Sequence, residues 1–341
     1  MTPSFNWKYA VTGGGGFIGS HVVDALLAGP ATREVRVLDN FSSGRREHLV
    51  HHEGDGRLKV HTVDLLEADR IVPLIAGVDI VIHLAANPDV RWGIKNTRLD
   101  LEQETIATYN VLEAMRLSLV NKILFSSSCS VYGNIGTEPA DEGRGPNLPT
   151  SLYGAGKLGS EALISAFCGT FGLSAVILRF GNIVGERTTH GVIFDFIRHL
   201  AVDPSILPVL GDGNQAKPYV YVRDLVAAIR FAEGLLTKSS PAGCELYNVA
   251  PGDAVAVRCI AATLLSTLGL TNKTRISYGD TPFGWPGDIP QCRVDSTRLR
   301  QAGFELPRNS GEAISEAIRS IVQWLGQRPS TEDGLRLPRT Q

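Results

Sequence analysis

The segment Tyr9–Ser20, YAVTGGGGFIGS, restricts the fold more than any other stretch of the chain. A strand-like run over Lys8–Thr12 breaks into glycines at Gly13, Gly16 and Gly19, and helical spacing over Ile18–Leu27 follows at once. In such a strand–turn–helix the first glycine makes the tight turn. The second lets backbone approach a pyrophosphate, and the third lets the helix pack close against the strand. The helix opening near Phe17 and Ile18 aims its amides and the positive end of its dipole at that pyrophosphate. Asp39 ends the next strand-like run, Val35–Asp39. A carboxylate there can bind the adenosine ribose hydroxyls and would repel a 2′-phosphate, which favours NAD over NADP. Arg45 and Arg46 lie nearby and leave NADP open.

Alternation continues beyond this unit. Leu58–Val63 and Ile80–Ala85 predict the third and fourth strands, Leu99–Leu117 a helix, and Lys122–Ser127 a strand. Tyr153–Phe171 predicts another helix and Ser174–Phe180 another strand. Strands alternating with helices imply parallel βαβ units, so the expected class is α/β with a Rossmann-type, doubly wound parallel sheet. After Arg179 the pattern loosens around Pro204, Pro208, Gly211, Gly213 and Pro218, and Phe283–Pro290, FGWPGDIP, is a loop by composition. This half predicts a smaller, mixed α/β substrate lobe. Val220–Gly234, with Asp224 near its start, predicts a strand and helix that rejoin the first domain. The expected division is residues 1–181 with about 218–250 as the nucleotide domain, 182–217 and 251–328 as the substrate lobe, and 329–341 as a polar tail.

Bulk properties exclude other classes. With 43% hydrophobic and 20% charged residues the chain is ordinary for a soluble globular enzyme. A net charge of -2 gives no reason to expect a nucleic-acid or acidic-membrane partner, and no apolar stretch approaches the ~20 residues of a membrane span. The five cysteines form no C-x-x-C pair, so neither a disulfide framework nor a metal site is expected. A reducing cytoplasm is the expected setting, and Met1–Trp7 is too short and polar for a signal peptide.

Ser151–Lys157 reads SLYGAGK, and on a helix Tyr153 and Lys157 share one face. A tyrosine with a reference pKa near ~10 is a poor base at neutral pH. A nearby ammonium and a positive nicotinamide both stabilise tyrosinate, and the lysine can also hydrogen-bond the nicotinamide ribose. By itself the spacing is also that of an ordinary amphipathic helix. Downstream of a dinucleotide turn it points to hydride chemistry on a hydroxyl-bearing substrate. Phe125–Gly133, FSSSCSVYG, ends a strand in hydroxyls at the sheet edge where ligands bind in this architecture. Ser128 is the candidate for hydrogen-bonding the reacting oxygen. Ser126 and Ser127 are left to cap the strand end, and Cys129 to packing.

With these motifs the chain resembles the extended short-chain dehydrogenases, and within them the nucleotide-sugar epimerases of the UDP-glucose 4-epimerase type. The resemblance runs from Lys8 to about Trp324. It rests on TGGGGFIG at Thr12–Gly19, LDNFSSGR at Leu38–Arg45, VDL at Val63–Leu65, HLAANPDVR at His83–Arg91 and SSSCSVYG at Ser126–Gly133. It continues through YGAGK at Tyr153–Lys157, RFGNIVG at Arg179–Gly185, GDGNQAKPYVYVRDL at Gly211–Leu225 and WPGD at Trp285–Asp288.

The resemblance implies that Asp39, Asn40, Ser43 and Gly44 surround the adenosine ribose and that Asp64 and Leu65 meet the adenine. Ala85, Ala86 and Phe180 would pack along the cofactor. Asn182 would hold the substrate diphosphate, Asp288 the nucleotide ribose, and Asn87 and Tyr219 would complete the substrate contacts. The segment Arg187–Ile193, RTTHGVI, would line the sugar through His190, Gly191 and Val192, with Tyr153 rather than His190 as the acid–base group. Four positions depart from the pattern. Lys217 stands for a phosphate-binding arginine and offers a point charge instead of a fork. Trp285 stands where some members have another arginine and could stack on the uracil. Glu104 falls where an asparagine is frequent beside the cofactor. Cys292 falls where some members carry a tyrosine, leaving room for an N-acetyl group or simply packing.

The implied activity is a redox-neutral C4 epimerisation of a UDP-sugar with NAD. The rivals are a 4,6-dehydratase, whose pattern puts Asp-Glu where this chain has Cys129-Ser130, and a uronic-acid epimerase or decarboxylase, for which Arg187 is the nearest basic partner. A non-catalytic NAD-sensing protein is the rival from another class, and such proteins typically lack the tyrosine or the lysine. Resemblance also implies a homodimer formed through the Leu99–Leu117 and Tyr153–Phe171 helices.

Overall fold

Apolar runs too short for helices, bounded by glycine or polar turns, form the central strands. The last four residues of Trp7–Thr12 are all buried, as expected of a strand covered on both faces. The computed structural model describes residues 6–238, 243–327 and Leu337, so the expected tail at 329–341 lies outside the described residues apart from Leu337. The elements run β1 (Trp7–Thr12), α1 (Phe17–Ala28), β2 (Thr32–Asp39), β3 (Leu58–Thr62), α2 (Ala68–Ile75), β4 (Ile80–His83), α3 (Trp92–Lys95), α4 (Ala107–Leu117), β5 (Lys122–Ser128), α5 (Leu152–Phe171) and β6 (Ser174–Phe180). They continue β7 (Asn182–Val184), α6 (Val192–Val202), β8 (Ile206–Val209), β9 (Ala216–Lys217), β10 (Tyr219–Tyr221), α7 (Val222–Lys238), β11 (Gly243–Val249), β12 (Val255–Ala256), α8 (Val257–Thr267), β13 (Arg275–Tyr278), α9 (Thr297–Ala302) and α10 (Ser310–Gly326).

The chain divides into two compact units. Unit 1 comprises the residues up to Val131, Leu152–Arg179 and Val226–Tyr247; unit 2 comprises Tyr132–Ser151, Phe180–Leu225 and the residues from Asn248 onward. The division differs from the sequence expectation at 132–151, 180–181, 218–225 and 248–250, which group with unit 2. The reason is pairing: Gly133 bridges Leu148 and Ala140 bridges Val294. The Asn248 amide donates to Glu142 at 2.6 Å, and β10 pairs in parallel with β7.

The central sheet has seven strands in the order β11-β6-β5-β4-β1-β2-β3. The pairs β1–β2, β1–β4, β2–β3 and β4–β5 are parallel. The order turns back between β1 and β4, and in open α/β sheets ligands bind outside the carboxyl ends of the strands at such a point. Ala10, Val81, Ile123 and Ile177 from the strands pack with Val111, Met115 and Ile164 from α4 and α5 in one buried cluster. β11 has no clear signal in the sequence, since only its last three residues are buried. The helix expected over Leu99–Leu117 opens instead as a π-helical turn, Leu101–Ile106, before α4.

A buried polar chain ties the strand ends together. Thr12 Oγ1 accepts the amides of Leu84 and Ala85 at 3.1 and 3.2 Å, so its own proton points to His83 Nδ1, 2.7 Å away. His83 Nε2–H then donates to Thr108 Oγ1 at 3.0 Å, and Thr108 donates to the Glu104 carbonyl at 2.5 Å. Burial and then the charge of Lys157 push His83 down to about 3. The unfolded histidine titrates near ~6.5. The unfolded state therefore binds the extra proton between those values. The stabilisation is complete above about pH 6.5 and is lost as pH falls through that window, at about 1.4 kcal/mol per unit. About 2 kcal/mol should vanish between roughly pH 6.5 and pH 5 by chemical denaturation, and His83→Gln should lack this part of the slope. An equal slope in the variant would rule out His83 as its source.

Unit 2 carries three two-stranded sheets, β10–β7, β12–β9 and β13–β8. Its α10 starts at a capping box, in which Asn309 and Glu312 satisfy each other's backbone amides.

Candidate active site

In unit 1 the glycine turn follows β1. Gly13 has φ +68°, and a Cβ there would lie 2.8 Å from backbone atoms of Ala85. A Cβ on Gly19 would lie 2.1 Å from the Gly13 carbonyl oxygen, so the helix can approach the turn only without one. Gly16 caps α1, no side chain caps the helix, and no acidic residue sits in its first turn. By helix geometry the amides of Phe17, Ile18 and Gly19 have no acceptor within the helix. That leaves donors and a positive dipole end suited to an anion.

Asp39 stands at the end of β2, where its two oxygens accept the Gly15 and Phe41 amides at 2.8 and 2.7 Å. Burial raises its pKa, while those amides and then Arg46 oppose the rise. Gly44 lets the following loop lie against this carboxylate, since a Cβ there would sit 2.9 Å from both oxygens. Asn40 donates to Asp64 at 3.0 Å, and the Leu65 carbonyl accepts from Asn110 at 2.8 Å. Ser43 lies in the same loop as Gly44, and Ala85 and Ala86 follow β4. A cradle that any Cβ would obstruct, uncapped helix amides and a carboxylate at the β2 end together fit a dinucleotide. Of the expected cofactor residues, all but Phe180, the last residue of β6, belong to unit 1.

The reacting-centre candidates also converge in unit 1. Ser128 acts on the Tyr153 hydroxyl and lowers its pKa, and Lys157 Nζ lies 5.7 Å from the tyrosine ring centroid. Lys157 donates to the Ser126 carbonyl at 2.9 Å and pairs with Glu104 at 2.9 Å. The ammonium expected to act on Tyr153 is thus itself paired with a carboxylate. Burial, and after it the Glu104 charge, raise the Tyr153 pKa well above its ordinary value, and Ser128 opposes the rise. The other two serines have structural partners: Ser126 donates to the His83 carbonyl at 3.1 Å and Ser127 to Glu161. Glu161 is in turn held by Arg179 in a buried bidentate pair. Cys129 is buried. Asn87, also in unit 1, donates its side chain to Asp100 at 2.8 Å.

Most of the expected substrate residues belong to unit 2. Asn182 on β7 pairs with Tyr219 on β10. Lys217 meets Asp288 at 2.6 Å, and its ammonium lies 4.7 Å from the Trp285 ring centroid. Lys217 and Asp288 were expected to face phosphate and ribose separately, and the structure pairs them with each other. Burial and then the Asp288 charge raise the Tyr219 pKa. Cys292 is buried and its amide donates to the Ala216 carbonyl at 3.1 Å, beside Lys217. Gly191 (φ +96°) caps α6 and Val192 begins it. The His190 carbonyl accepts from Thr188 at 2.8 Å.

Sequence reasoning missed His83 and the Glu104–Lys157 pair. The only sequence signal for the pair was a carboxylate where the resembling family often has an amide.

Residues 9–250 match the family model "NAD dependent epimerase/dehydratase family". A putative UDP-glucose 4-epimerase of Methanocaldococcus jannaschii is 30% identical, covering 92% of this chain and 97% of that protein. A crystal structure of UDP-galactose 4-epimerase superposes with TM-score 0.82 and 34% identity over 93% of this chain and 99% of that one. A dTDP-glucose 4,6-dehydratase from Streptomyces venezuelae, solved with NAD and TYD bound, gives TM-score 0.84 at 27% identity over 94% and 99% of the two chains.

Proposed function

Because this chain belongs to the NAD dependent epimerase/dehydratase family, we propose that it is an NAD-dependent epimerase inverting C4 of a nucleotide-diphosphate sugar of the UDP-glucose/UDP-galactose type. The observation that carries the reading is that Tyr153, Ser128 and the buried Lys157 converge in unit 1, with the Lys157 ammonium 5.7 Å from the tyrosine ring centroid. A phenol so placed can take the proton of a sugar hydroxyl and give it back. Bound NAD supplies a hydride acceptor for C4 and a donor back to the 4-keto carbon.

The chain's own residues do the rest. Tyr153 withdraws the C4 hydroxyl proton and later returns it, and Ser128 aligns that oxygen. Lys157 fixes Ser126 and the reacting face of α5. Phe17, Ile18 and Gly19 hold the pyrophosphate through their amides, and Asp39 the adenosine ribose. Asn182, Lys217, Tyr219, Trp285 and Asp288 are the proposed hold on the nucleotide, and His190, Gly191, Val192 and Cys292 on the sugar. Since the proton returns to its own substrate, the enzyme ends each cycle as it began and needs no second substrate.

Cys129-Ser130 after Ser128 supply no carboxylate to eliminate water, which favours epimerisation over dehydration. Exposed Leu101, Ile106, Tyr109 and Leu117 lie along the π-turn and α4, and exposed Leu152 and Phe171 on α5. This apolar surface supports a homodimer built on those helices.

Incubation with UDP-glucose, UDP-galactose, their N-acetyl forms and UDP-glucuronic acid in heavy water, followed by proton NMR, tests the reading. The expected product is the C4 epimer with no deuterium on carbon, because the hydride never exchanges with solvent. A 4-keto-6-deoxy product, a decarboxylated sugar, or no change with any of these substrates would overturn it.

A further inference from the structure

A single carboxylate organises the region behind Tyr153. Glu104 Oε2 lies 2.9 Å from Lys157 Nζ, with both side chains 1% exposed, so the pair is fully withdrawn from water. Glu104 Oε1 accepts the Asn87 amide at 2.9 Å. Lys157 also donates to the Ser126 carbonyl. One side chain therefore connects α5, the loop after β4 and, through the lysine, the end of β5.

The backbone under Glu104 is equally constrained. It sits in the π-helical turn Leu101–Ile106. Its carbonyl accepts hydroxyl protons from Thr108 and Ser160. On α5, a Cβ at Gly156 would lie 2.7 Å from the Glu104 Cβ, so that glycine makes the close approach of the two helices possible. Single π-helical turns are rare and concentrate at functional sites.

We propose that Glu104 is a positioning residue for the reacting centre. It holds Lys157 in a buried ion pair, aligns the Asn87 loop with its other oxygen, and offsets the ammonium's field at Tyr153, so that the phenol works against a neutral pair rather than a lone cation. The inference rests on the reading above only for the role of Tyr153. Tyr153 is faced by Glu104, Cys129, Asp100, Ser128 and Lys157. Glu104 is faced by Lys157 and Asp100, and His83, whose field partner is Lys157, is neutral. After burial, the Glu104 charge is the largest influence holding Tyr153 protonated, with Cys129 and Asp100 adding to it.

The test reads the phenol itself and uses no sugar. The ultraviolet signal of tyrosinate is followed against pH in the NAD-loaded protein, and the Tyr153→Phe signal is subtracted to isolate one phenol. The same subtraction is made in a Glu104→Gln background. Gln keeps the shape and loses the charge, so the tyrosinate signal should appear about one pH unit or more lower. An onset that stays in place or moves upward overturns the proposal. If Glu104→Gln does not fold, Glu104→Asn, which removes the same charge, decides. The onset must again fall, and an unchanged or raised onset overturns the proposal. Because no substrate enters the measurement, a failed sugar assay leaves this result standing, and the reverse also holds.

Discussion

Tyr153→Phe should lower turnover by about 10²–10⁴-fold, the contribution of a positioned acid–base group. The substitution keeps the ring and removes one oxygen. Ser128 acts on that oxygen, so the variant loses both the proton carrier and its alignment. Neither the glycine turn nor Asp39 touches this hydroxyl in the hydrogen-bond pattern of unit 1. NAD should therefore remain bound in near-stoichiometric amount, measured by releasing it on denaturation. The expected pattern is a collapse of kcat with the cofactor in place. Turnover within tenfold of the parent would remove Tyr153 from the chemistry and with it the epimerase reading.

Gly19→Ala should cost about ten- to a hundredfold in NAD affinity, because a methyl forced into packed backbone costs ~1–3 kcal/mol. Its Cβ would meet the Gly13 oxygen at 2.1 Å, with the Gly13 carbonyl carbon and the Gly14 Cα at 2.8 Å. All three are backbone atoms of the turn, so no side chain can move aside. The helix must slide or the turn must open, and either displaces the amides of Phe17 and Ile18. Alanine itself suits a helix, so the fold should survive. The measurement is the rise in Tm on adding NAD, which reports binding to the native state. The same rise in variant and parent would show that this turn does not hold the cofactor.

Much of unit 1 was legible because its signals are local. The glycines, Asp39 and the four-residue spacing of Tyr153 and Lys157 are all read within one strand–turn–helix or one helix face. The acid–base strength of the site was not. Spacing reveals which side chains share a face, whereas the partner of Lys157 comes from a π-helical turn far away in sequence. Lys217 and Asp288 illustrate the same limit: 71 residues apart, they were assigned to different parts of a ligand and instead form an ion pair. The segment 132–151 was placed by continuity with its neighbours, and its actual bonds run to Asn248 and Val294. β11 escaped because an edge strand half open to water lacks a continuous apolar run.

The chain of hydroxyls and imidazole from Thr12 through His83 and Thr108 to the Glu104 carbonyl has a consequence for the divergence of related sequences. Every member has its donors and acceptors matched, and each fixes the proton direction of the next. Losing one link strands a desolvated polar atom on either side, and replacing the whole set would still strand the Ala85 amide that Thr12 accepts. These three positions should therefore be inherited together as hydrogen-bonding residues, with partial replacements rare among homologous proteins.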